Sequence, residues 1–87
     1  MGIMTAQEQM REKLAQLGIP YRTINCYGSQ IVVTSLCRNT AEKWALTLAQ
    51  FATFKGIRES IDYIQENRNT IMNPSTVRVW RTYAVVS

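Results

Sequence analysis

The segment "IRESIDYIQEN" holds the chain's densest set of groups able to move a proton or hold a cation. On a helix, Glu59, Asp62 and Glu66 fall at i, i+3 and i+7, on one side. Carboxylates grouped in that way do acid–base work or bind a divalent ion. Arg58 and Arg68 interleave with them, which favours a solvated, charge-balanced face over a catalytic one.

Other chemistries are closed off by composition. The chain contains no His, which removes Ser-His-Asp and Cys-His catalysis, histidine metal sites and the commonest neutral-pH base. With only two cysteines, Cys26 and Cys37, one chain cannot build a four-thiolate zinc site. No glycine-rich phosphate loop is present, because the four glycines are scattered at positions 2, 18, 28 and 56. The expectation is a protein that is not an enzyme and uses no metal or cofactor.

What remains is recognition. The net charge is +4, and seven of the ten basic residues are Arg. Arginine offers a planar fork of donors for phosphate or carboxylate and also stacks on rings. The closing stretch "TVRVWRTYAVV" sets arginines beside a tryptophan. Its alternation puts Val77, Val79, Tyr83 and Val85 on one face with Arg81, and Arg78, Trp80, Thr82, Ala84 and Val86 on the other. The repeated valines mark the first face as the core side. Arg81 then extends its stem over the core rim. Arg78 and Trp80 are expected on the open side.

The elements that would position these residues are legible in part. Thr5 and Glu8 fit a capping box, and Met10, Leu14 and Leu17 make an apolar stripe. A helix is therefore expected over 6–17, ended by Gly18 and Pro20. Gly28-Ser29 suits a type II′ hairpin turn, in which opposed residues have numbers summing to 57. Ile24 then faces Val33 and Cys26 faces Ile31 on a core side. Tyr21, Thr23, Asn25, Tyr27 and Thr34 share the other side. In that register Cys26 and Cys37 are ~20 Å apart, too far for a disulfide.

A second helix is expected from a cap at Asn39, through the stripe Ala41, Trp44, Ala45, Leu48, Phe51 and Ala52, to an end at Lys55 and Gly56. Core packing is the favoured role of Trp44 and Phe51. Residues 57–66 fit a third helix by the spacing of Ile57, Ile61 and Ile64. The competing reading is a strand that forms a hairpin with the last one. The polar segment 67–76, with Asn73-Pro74, reads as a loop.

The sum is a single α+β domain over residues 1–87. It has a small antiparallel sheet of three strands, or four, with two or three helices packed on one face in the order α-β-β-α-α-β. That order is similar to the type II KH RNA-binding fold. In that family a Gly-x-x-Gly loop between two helices clamps the nucleic-acid backbone. The matching place here is "FKGIRES", where Lys55, Gly56 and Arg58 stand and a second glycine does not.

The chain has no apolar run of about 20 residues, so no membrane span is expected. The start lacks a signal-like pattern, and Ala6 stands where a myristoylation motif wants Ser or Thr. A cytoplasmic setting is the expectation. The partner is expected to be macromolecular, a nucleic acid or a protein complex. The surface is assigned to Tyr21, Arg22, Tyr27, Lys55, Arg58, Arg78 and Trp80. The first reading is a module contacting nucleic acid or a ribonucleoprotein. The second is a protein-interaction module, such as a small inhibitor or adaptor of the anti-defence kind carried by mobile genetic elements. The third is a homodimer joined through the open sheet face or the last strand.

Overall fold

The structure is a computed structural model, and it describes residues 5–64 and 75–86. It contains α1 (Ala6–Ala15), β1 (Thr23–Tyr27), β2 (Gln30–Ser35), α2 (Arg38–Leu48), β3 (Thr53–Ile64) and β4 (Ser75–Val85). The four strands form one antiparallel sheet in the order β1-β2-β4-β3. The class is α+β, with two helices and four strands among the described residues.

The start of the chain folds as its pattern dictates. Thr5 Oγ1 accepts from the Glu8 amide at 3.2 Å, satisfying one of the orphan donors of α1. Met10 and Leu14 turn towards the core, while Leu17 lies past the helix end and is exposed. Gly18 takes φ +79°, the left-handed conformation that glycine adopts without strain. The β1–β2 register is Ile24 to Val33 and Cys26 to Ile31, as the turn chemistry predicts. Gly28 has φ +61° and Ser29 does not have positive φ, which is the type II′ pattern.

Three expectations need correction. Helix α2 is capped by Cys37, not Asn39, and it ends at Leu48 with Ala49 as its cap. Ala41, Trp44 and Leu48 are fully buried, but Phe51 falls in the turn beyond the helix and is exposed. Residues 53–64 are then a strand, not the end of one helix and the start of another. Opposite them β4 offers eleven paired positions, and that pairing outweighs the helical spacing of the isoleucines. A bulge at Lys55 shifts the register, with Gly56 at φ +130°. The element order becomes α-β-β-α-β-β. With it goes the likeness of order to the type II KH fold, since Lys55 and Gly56 sit inside a strand and no junction of two helices exists there.

The third correction is the facing of β4. Ile31 opposes Ala84 and Val33 opposes Thr82, so Thr82 and Ala84 share the side of Ile24 and Ile31, under the helices. The core gathers Leu14, Ile24, Ile31, Val33, Trp44, Leu48 and Ala84. Helix α2 crosses the central strand closely enough for Thr82 Oγ1 to donate to the Ala41 carbonyl at 3.1 Å. Such an approach requires small side chains on both elements, and Ala41, Thr82 and Ala84 supply them. Valine repetition pointed to the other face because bulk is not what this contact needs.

Trp44 fills the centre of the layer. Its Nε1 donates to the Pro20 carbonyl at 2.9 Å, and the Tyr21 ring meets it edge-on at 6.4 Å. Burial of a ring this large dominates a core of this size, and it ties the α1–β1 connection to α2.

Candidate functional site

Both helices pack on one side of the sheet, and among the described residues no helix covers the other. The uncovered face follows from strand alternation. It carries Thr23, Asn25 and Tyr27 of β1, Gln30, Val32 and Thr34 of β2, and Arg81 and Tyr83 of β4. Position 58 of β3 opposes position 81, and so Arg58 joins them. The residues of β1, β2 and β4 on this face, with Asp62 of β3, border a shallow concavity of about 480 Å³.

Arg58 and Arg81 are directly opposed on one face, a like-charge arrangement that repels across a sheet. The two guanidiniums diverge. Arg81 Nη2 reaches along the face to donate to Asp62 Oδ1. Arg58 goes the other way and lies over the Tyr83 ring, 5.7 Å from its centre, a cation–π distance.

Asp62 has a second partner. Arg22 lies just before β1, its amide bonded to the Thr34 carbonyl at 2.7 Å, and its Nε donates to Asp62 Oδ2 at 3.2 Å. One half-buried carboxylate thus ties the end of β1 to β3 and β4. Val79 lies between positions 77 and 81 on this same face, and it is fully buried. The aliphatic stems of arginine are well suited to cover such a residue.

No protein-family model matches this chain, and neither does a curated protein or a solved structure.

The residues singled out in the sequence divide between the two faces. Tyr27 and Arg58 lie on the uncovered face, and Arg22 reaches it through Asp62. Tyr27 is 63% exposed. Tyr21 instead stands against Trp44 at the α1 edge. Lys55 is the exposed residue at the bulge of β3. Arg78 and Trp80 lie on the helix side: position 80 opposes the buried Ser35, and Arg78 Nε pairs with Glu59 at 2.9 Å. Sequence reasoning missed Arg81 and Tyr83, which it assigned to the core side. The signal that would have found them is the strand reading of 57–64, since charges at 58 and 62 alternate in phase with 81 and 83.

The carboxylates expected together are separated. Glu59 faces the helix side, Asp62 faces the open side, and Glu66 lies outside the described residues. Among the described residues no group of three or more His, Cys, Asp or Glu stands close enough to hold a metal ion. Cys26 is half-buried and Cys37 exposed, and both are free thiols. No described helix is long and apolar enough to cross a membrane.

Proposed function

We propose that this chain is a non-catalytic binding protein that holds single-stranded nucleic acid, free or within a ribonucleoprotein, on its uncovered sheet face. The observation that carries this reading is the face itself. Arg22, Arg58 and Arg81 stand there against one carboxylate, with the Tyr27 and Tyr83 rings beside them. Exposed rings on a sheet stack unpaired bases, while guanidiniums neutralise the phosphates between them. The remaining lining, Thr23, Asn25, Gln30 and Thr34, offers short polar groups to base edges and leaves the face wettable when empty.

The test is fluorescence anisotropy with labelled single-stranded DNA and RNA of about 12 nucleotides at ~50 mM salt. Binding is expected to weaken steeply as salt rises, because each phosphate contact releases counterions. No binding at ~50 mM salt to either oligonucleotide ends this reading. A tagged pull-down with and without nuclease covers the competing class. A partner retained after nuclease would favour a protein-interaction module of the inhibitor or adaptor kind.

A further inference from the structure

Strand β3 is an edge of the sheet, twelve residues long, and β4 is its only strand neighbour among the described residues. A long edge with free N–H and C=O groups is a template for another strand, and soluble proteins blunt such edges or pair them. The bulge at Lys55 blunts only the beginning of β3. From Gly56 to Ile64 the pairing with β4 runs without a further shift. That stretch also exposes Ile61 and Tyr63, at 60% and 70%.

From this edge we infer that the protein forms a two-fold symmetric dimer in which β3 pairs antiparallel with β3 of a second copy, centred on Ser60. The charge order of the strand selects both the occupant and the register. In an antiparallel pair, opposed residues share a face and both point their backbone groups the same way, so a symmetric register centres on a residue. Centring on Arg58, Glu59 or Asp62 opposes like charge to like charge. Centring on Ile61 leaves Arg58 and Glu59 without opposite charges facing them.

Centring on Ser60 places Arg58 opposite Asp62 of the second copy, twice, on the uncovered face. On the helix side it places Ile57 opposite Tyr63, also twice, a β-branched and aromatic pair of the kind that stabilises sheets. Such an interface is isologous and closes on itself, so it does not propagate into fibres. Asp62 has capacity for the incoming guanidinium, since an ionised carboxylate accepts at about four sites and Arg22 and Arg81 occupy two. Among the described residues, Arg58 has no carboxylate of its own chain. The two sheets become one of eight strands, and the two uncovered faces become one surface.

Sedimentation equilibrium without nucleic acid is the first measurement. The expected mass at about 50 μM is twice the 10.0 kDa of one chain. Arg58→Glu, at an exposed position, is expected to weaken association at least tenfold with an unchanged circular dichroism spectrum. The register has its own test in a Cys26→Ser, Cys37→Ser background. There Ser60→Cys meets its own copy across the two-fold and is expected to form an interchain disulfide on mild oxidation. Glu59→Cys in the same background opposes Ile61 and is expected not to do so. A monomer mass at 200 μM overturns the dimer, and equal crosslinking at 59 and 60 overturns the register. Neither result decides the proposed oligonucleotide binding, which is tested on its own by anisotropy.

Discussion

Arg81 and Arg58 oppose one another across β3 and β4, and only Arg81 reaches Asp62. That asymmetry organises the uncovered face. Arg81 and Arg22 are held by a common carboxylate, while Arg58 lies over Tyr83 and, among the described residues, pairs with no carboxylate. Two guanidiniums tie strands together, and the third lies on a ring.

Asp62→Asn is expected to lower stability by about 1–2 kcal/mol, between the values for exposed and buried ion pairs. It leaves Arg22 and Arg81 facing each other without the charge that holds them. The same change makes the face more positive, so oligonucleotide affinity is expected to rise while stability falls. Urea denaturation and anisotropy on the same variant check both directions. A parallel fall of stability and affinity would show that the carboxylate organises the nucleic-acid site instead of competing with it.

Substitutions on the two faces of the sheet separate the roles of the aromatic residues. Tyr27→Ala is expected to cost about 1–3 kcal/mol of oligonucleotide binding if one base stacks there. Arg58→Ala is expected to reduce the slope of log K against log salt by about 0.7, the contribution of one phosphate on a single strand. Trp80→Ala, on the helix side, is expected to leave affinity unchanged in the folded fraction. Loss of binding in Trp80→Ala alone would move the site to the other face.

The crossing of α2 over β4 predicts a steric result. Ala84→Leu is expected to destabilise by about 1–3 kcal/mol, because a fully buried position beneath Leu48 and Trp44 has no room for a larger side chain. Thr82→Val keeps the shape and removes the hydrogen bond to Ala41, with an expected cost of about 1 kcal/mol. Thermal denaturation of both variants measures these costs. A stabilised Ala84→Leu would mean the helix stands further from the sheet than the bond to Ala41 implies.

The two thiols diverge in acidity. A hydrogen bond with the Thr40 hydroxyl, at 2.9 Å, draws the Cys37 thiol below the ordinary value. Burial pushes the Cys26 thiol up, only partly offset by Arg11. Since the thiolate is the nucleophile, Cys37 is expected to react with iodoacetamide at lower pH than Cys26. The sign for stability follows for Cys26. Its folded thiol is the weaker acid, so its contribution is complete below the ordinary thiol range and is lost as pH rises through the raised value. Mass spectrometry of alkylated peptides from pH 6 to 10 checks the order, and Thr40→Val should slow Cys37.

Local rules made the first half of the chain legible. Thr5 with Glu8, Gly18, and Gly28-Ser29 are short-range devices whose geometry depends on neighbouring residues alone, and the hairpin register followed from its turn. The apolar stripe of Ala41, Trp44 and Leu48 showed itself through helical spacing. Tyr27 and Arg58 were readable as surface candidates from residue type and position.

Two matters were settled by tertiary contact alone. Residues 53–64 carry both a helical and an alternating pattern, and pairing with β4 decided between them. The facing of β4 depended on how near α2 approaches, which selects Thr82 and Ala84 over the valines for the core. Composition cannot encode that distance, because it is set by two elements that meet only after folding. The same facing carried Arg81 and Tyr83 to the uncovered side and Arg78 and Trp80 away from it. Residue types alone singled out arginines and aromatic rings as candidate recognition groups and excluded histidine chemistry; the packing of one helix decided which of them share a face.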